Sequence, residues 1–199
     1  MSSWSVNAGA ANCQELICLH SSPRHMTKAA LMAAITAALA WVVFPLPFST
    51  VPVSGQTVGV MAAGILLPPR WAALSMVVYV LLGAVGLPVY AGGGAGIGVL
   101  AGPTGGYIWA FIPSALFISW GLRQSWAVRA WSKITILVVG GIGLIYIPGV
   151  LQLMAYTGLG FSQALLVGAL PFLLGDALKI LFCWWLAGHP AAREERLRS

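Results

Sequence analysis

The sequence predicts an all-α membrane protein: six transmembrane helices in one bundle, with both termini in the cytoplasm. Three observations predict it. Hydrophobic residues make up 59% of the 199 and charged residues only 7%, with a mean hydropathy of +0.91; a soluble domain carries roughly 25% charged residues. Apolar runs of helical length recur along the chain, separated by Pro-rich or Gly-rich breaks. Lys and Arg gather in alternate connections, the pattern that orients spans in a bilayer. From Ala29 to Ala192 only Arg70, Arg123, Arg129, Lys133, Asp176 and Lys179 are charged. The net charge of +6 lies beside apolar runs, so it argues for a lipid bilayer and against nucleic acid. Cys13 and Cys18 sit in a polar tail and Cys183 in an apolar run, which predicts no disulfide framework.

Residues 1–25 read as a mobile cytoplasmic tail, because the apolar patch Leu16 to Leu19 is too short for a secretory signal. Residues 26–189 form the bundle, and 190–199 a second, mixed-charge cytoplasmic tail. The first span runs from Thr27 to Phe44 and ends at Pro45. Its alanines form two rows, Ala29, Ala33, Ala37 and Ala30, Ala34, Ala38, whose spacing lets another helix approach closely; that neighbour is either inside the bundle or a partner. The stretch Pro45 to Ser54 is too proline-rich for a helix. The second span, Gly55 to Leu67, is short and stops at Pro68-Pro69. The third runs from Trp71 to Gly86. A Gly-rich run follows, from Pro88 to Gly98, and then Gly102-Pro103-Thr104-Gly105-Gly106-Tyr107. The fourth span covers about Thr104 to Leu122. The fifth covers about Ile134 to Tyr156 and is kinked or broken at Pro148. The sixth covers about Phe161 to Ala187 and bends at Pro171.

The basic residues before the first span, after the second and fourth, and after the sixth fall on one side. The positive-inside rule makes that side cytoplasmic, so the Pro-rich and Gly-rich connections face outward. Irregular backbone near membrane depth survives only against protein or a watery cavity. Glycine also lets a ligand come close to the main chain. The uncharged Gly-rich run, including Gly98, is therefore expected to cover a ligand, with Thr104 at the start of the next helix beside it.

A search for chemistry removes the catalytic options. No Gly-Lys pair exists for a P-loop. Gly96, Gly98 and Ala101 fit a dinucleotide fingerprint without its strand or its acidic residue. His20, His25 and His189 lie outside the spans, which excludes a His-assisted nucleophile and a metal site. Asp176 is the only carboxylate in the bundle, so paired-carboxylate catalysis is excluded too. What remains is Asp176 and Lys179, three apart on one helix face, in line with Phe172 and Cys183 and beside Gly168 and Gly175. An intramembrane charge pair is costly, and by default it marks a functional site. Tyr79, Tyr90, Tyr107 and Trp109 are candidate aromatic walls, and Gln56 a candidate polar contact.

These residues also carry a resemblance. Val51-Pro52-Val53, Gln56-Thr57, Pro69-Arg70, Tyr79, Gly83-Ala84-Val85-Gly86-Leu87-Pro88-Val89, the Gly-Pro-Thr-Gly-Gly-Tyr block and Gly175-Asp176 with Lys179 occur in an order that resembles the BioY family. Its members are the biotin-binding substrate components of energy-coupling factor transporters. The resemblance covers Thr27 to Ala187. It implies biotin as transported substrate, a transmembrane coupling protein and two ATP-binding-cassette ATPases as partners, no cofactor, and a place in a prokaryotic plasma membrane. It implies that Asp176 and Lys179 contact biotin, with Gln56, Tyr90, Gly98, Thr104 and Tyr107 as surrounding candidates. It also implies that the alanine rows dock on the coupling protein. Ser54-Gly55 and Tyr90 depart from the family's usual residues. Four alternatives stay open: a solitary biotin transporter, a component for thiamine or riboflavin, an intramembrane enzyme using Asp176 or Lys179, and a purely structural membrane protein.

Overall fold

A computed structural model describes residues 23–44, 53–127, 129–169, 172–190 and 192. The expected tails at 1–22 and 193–199, the tip of the Pro-rich connection at 45–52 and the bend at Pro171 lie outside the described residues. The described residues are helical almost throughout. α1 spans Pro23–Leu39, α2 Gln56–Leu66 and α3 Pro69–Ala84. The short α4, Ile97–Ala101, precedes the long α5, Gly105–Gly121. α6, Ala130–Val138, passes through a π turn, Val139–Gly143, into α7, Leu144–Thr157; α8 spans Phe161–Gly168 and α9 Leu173–Gly188.

Three boundaries differ from expectation. The first helix stops at Leu39 rather than Phe44. Its end tightens through Ala40 N–H to Ala37 O, 3.2 Å, and Trp41 N–H to Ala38 O, 3.2 Å. Val42 and Val43 are β-branched and Phe44 precedes a proline, all of which favour extended backbone. Val43–Phe44 (β1) accordingly pairs antiparallel with Val53–Ser54 (β2), Val43 opposite Ser54 and Phe44 opposite Val53. The all-α expectation thus gains a minimal hairpin that brings both ends of the Pro-rich connection together. Where one sixth span was expected, the described residues carry two helices, α8 up to Gly168 and α9 from Leu173, on either side of positions 170–171. In the fifth span the irregularity sits mainly ahead of Pro148, at the π turn. There Ser114 Oγ donates to Gly140 O at 2.6 Å, so a neighbouring helix satisfies backbone that the α pattern leaves open.

α5 is the centre of the bundle, packed against α7, α3 and α2; α1 lies on α3 and α2, and α9 on α2 and α6. One core cluster gathers Tyr79, Tyr90, Tyr107, Phe111 and Phe172. A second gathers Met61, Ile65, Ile118, Ile136, Ile180 and Cys183. The outer surface is apolar as well. On α9, Leu178 is 71% exposed, with Leu181, Phe182 and Trp185 exposed at helical spacing beside it. A helix that is apolar on both faces belongs inside a large core or a bilayer. Among the described residues Ala130–Thr157 is long and apolar enough to cross a membrane, whereas Gln56–Leu66 and Pro69–Ala84 are shorter apolar helices.

The two alanine rows of α1 point different ways. Ala29 and Ala33 are buried and Ala37 half-buried, while Ala30, Ala34 and Ala38 are exposed. Ser75 Oγ of α3 donates to Ala29 O at 2.7 Å, a close approach that small side chains permit. The inner row is therefore taken up within the bundle, which removes Ala29 and Ala33 from any partner-facing surface. The outer row remains accessible.

Candidate functional site

α2, α5 and α9 begin at one end of the bundle, where α3 also ends. The basic residues Arg70, Arg129 and Lys133 stand at the other end, where α3 and α6 begin. The first end carries a cavity of about 450 Å³, within the size range of small-molecule sites. All seven candidate contacts line it: Gln56, Tyr90, Gly98, Thr104, Tyr107, Asp176 and Lys179.

Asp176 lies in the first turn of α9 and is 1% exposed. Its Oδ1 accepts from Lys179 Nζ at 2.9 Å, and its Oδ2 accepts from the Tyr146 hydroxyl. Lys179 Nζ also donates to Ser54 O at 2.8 Å and Thr57 Oγ1 at 3.0 Å. An ammonium has three N–H groups, and all three are directed at protein oxygens. The pair therefore ties α9 to β2 and the first turn of α2. Breaking such a buried pair from one side leaves an uncompensated charge, at a cost of about 3–5 kcal/mol.

Gln56 is buried, its amide donating to the Tyr79 hydroxyl at 2.5 Å and accepting from Ser54 Oγ at 3.1 Å. Tyr79 donates in turn to Val89 O at 2.9 Å. Tyr79 thus stands one layer behind the cavity and positions Gln56, rather than forming a wall. Trp109 is half exposed on the outer surface and does not line the cavity. Cys183, the end of the expected stripe, is buried in the second core cluster.

The Gly-rich segment is anchored at several points. Gly92 N–H donates to Ala40 O at 3.1 Å and Gly96 N–H to Gly83 O at 2.7 Å. Gln152 Nε2 of α7 donates to Leu100 O at 2.9 Å and Gly102 O at 2.8 Å. Tyr90 is 1% exposed, with its hydroxyl donating to Val80 O at 2.7 Å. A Cβ at Gly83 would run into the Tyr90 ring, so the glycine there is a space requirement. The same holds where Tyr107 crosses α7. A Cβ at Gly149 would meet its ring, and one at Gly168 would stand 2.7 Å from its hydroxyl, which donates to Gly168 O at 2.8 Å.

Sequence reasoning missed Tyr146, Thr57 and the Ser54 carbonyl. Tyr146 stacks edge-on against Tyr107, 6.0 Å between centroids, and lies 6.4 Å from Phe172. The one signal for it was a hydroxyl-bearing aromatic deep in an apolar span, two residues before Pro148.

Fold and site together define a small-molecule-binding helical component, built around a mostly apolar cavity with one buried ion pair. The chain matches the BioY family over residues 12–194. It is 37% identical over 166 residues to the biotin transporter BioY of Rhizobium etli, covering 79% of this chain and 88% of that one. It is 36% identical over 158 residues to the biotin transporter BioY of Thermotoga maritima, with 79% and 90% covered. A crystal structure of the S-component for biotin from an ECF-type ABC transporter superposes with a TM-score of 0.78 at 26% identity, covering 88% of this chain and 90% of that one. The chain belongs to the BioY family.

Proposed function

We propose that this chain captures biotin at the outer face of a prokaryotic plasma membrane and passes it inward, as a transport component and not as an enzyme. The observation that carries this reading is the meeting of all seven candidate contacts around one cavity, in a chain of the BioY family. The exposed apolar surface supports a multi-pass membrane location, with residues 26–189 as the embedded unit, six passes and both termini inside. Delivery is energised by two partner ATPases through a transmembrane coupling protein. The coupling protein meets the outer α1 row, Ala30, Ala34 and Ala38.

Biotin's ureido group has two N–H donors and one carbonyl acceptor, and its side chain ends in a carboxylate. A carboxylate offers about four lone-pair sites, so Asp176 can accept a ureido N–H while keeping Tyr146 and Lys179. Lys179 is different: a ligand oxygen can reach Nζ only by replacing Ser54 O, Thr57 Oγ1 or Asp176. Binding at Lys179 is thereby linked to β2 and α2, next to the Pro-rich connection. The apolar bicycle lies against Tyr107, Tyr146 and Phe172.

The test is calorimetric titration of biotin into the purified protein. Asp176→Asn is expected to weaken binding by about 1.5–3 kcal/mol, the range of a hydrogen bond to a charged group. Unchanged affinity would remove Asp176 from the contact set. Titration with thiamine and riboflavin separates the other vitamins. Uptake in cells lacking every coupling module separates solitary transport from energised transport.

A further inference from the structure

The cavity is charged at one end and neutral at the other. Tyr146 and Tyr156 both line it and both belong to α7. They are ten residues apart, so the cavity runs roughly 15 Å along that helix. At the Tyr146 end Asp176 and Lys179 are tied to Thr57 and to the Tyr146 hydroxyl. Tyr107, Ile108, Phe111, Ile145 and Phe172 line a largely apolar stretch. Gln152, one turn before Tyr156, holds Leu100 O and Gly102 O, which sets the Gly-rich segment at the far end. There Tyr156 is 63% exposed and Gly98 is exposed as well, so this end is the mouth. The hydroxyls of Thr104 and Tyr156 are its polar side-chain groups, and both are neutral. The sequence carries no Lys, Arg or His at 41–69, 71–122 or 134–178. Those stretches supply every lining residue except Lys179.

The two polar ends of biotin therefore meet different surroundings. A ligand carboxylate at the inner end would face the Asp176 carboxylate, a like-charge contact. It would also have to displace one of the three oxygens that already occupy Lys179 Nζ. The ureido N–H groups meet there an acceptor with lone pairs to spare. We infer that the ureido ring sits at Asp176 and that the tail carboxyl lies at the mouth without a counter-ion, so the site also takes biotin whose carboxyl is amide-linked. The substrate class then includes the lysine amide that proteolysis of biotinylated protein releases. A mouth without a cation rewards no negative charge on the tail, and the opening beside Gly98 and Tyr156 lets a substituent project outward. The inference deepens the biotin reading above and rests on it.

Calorimetric titration of the full chain in detergent with biotin, biotinamide and Nε-biotinyl-lysine tests it. Both amides are expected to bind with a Kd within about threefold of that for biotin. A loss of about tenfold or more for either amide is the size of a removed hydrogen bond to a charged group and overturns the inference. Tyr156→Lys gives the mouth the cation it lacks. It should tighten biotin by up to about fivefold, the worth of an exposed ion pair, and leave biotinamide unchanged. An equal response of the two ligands would remove the tail carboxyl from the mouth and overturn the inference as well. Biotin itself keeps the two proposals apart. Tight binding of biotin with exclusion of both amides sinks this inference alone, whereas no binding of biotin sinks the transport reading and this inference with it.

Discussion

Asp176 could be singled out from the sequence because a lone carboxylate in an apolar run has few uses, and Lys179 because three residues along a helix put it beside that carboxylate. Their actual partners could not be read the same way. Tyr146, Thr57 and the Ser54 carbonyl come from three other elements, and spacing along one helix says nothing about what another helix presents to it. Tyr146 separates a role in holding Asp176 from a role in filling space. Tyr146→Phe keeps both ring contacts and deletes one hydroxyl. We expect it to lower stability by about 1.5–3 kcal/mol through the lost hydrogen bond to a carboxylate, measured by thermal unfolding in detergent. A negligible loss would mean that the ring packing, not the hydroxyl, is what the fold depends on.

The Gly-rich segment illustrates how element-level reading succeeds and where it stops. Its irregularity followed from composition, and the structure places it along the cavity wall. Its attachment did not, because Gln152 reads as an incidental polar residue in an apolar helix. Its amide nitrogen donates to both Leu100 O and Gly102 O, so one side chain holds the start of α5's approach against α7. Gln152→Ala should raise amide exchange across residues 96–104 while leaving α2 and α3 unchanged, as hydrogen-exchange mass spectrometry can measure. Uniform exchange changes would show that Gln152 supports the whole bundle instead. The overlong first helix has a local cause. Hydropathy continues through Val42 to Phe44, but β-branching and the proline that follows favour extended backbone there, and hydropathy does not register them.

For the molecule as a whole, most of the bundle was legible, since each span is a run of apolar residues bounded by proline, glycine or charge. Which face of each helix turns inward was not, because every face is apolar and periodicity carries little contrast. The alanine rows of α1 make this concrete: both have the same spacing, yet Ala33 is 1% exposed and Ala34 is open. Two single substitutions distinguish them. Ala33→Leu overpacks the interface of α1 with its neighbours and should destabilise by about 1–3 kcal/mol. Ala34→Leu should leave stability and biotin binding unchanged while reducing uptake that depends on the coupling protein. Full uptake by the Ala34 variant would place the docking surface elsewhere.

The π turn at Val139–Gly143 has a consequence for how the site could change. Such a turn holds one residue more than an α turn, so it sets the rotational phase of everything after it by about 100°. The phase of α7 decides that Tyr146 is the residue offered to Asp176. Removing one residue from 139–143 would restore an unbroken α ladder and turn a different side chain toward the cavity, while α5 and α9 kept their positions. Chain length at this one turn therefore sets which side chain of α7 faces Asp176.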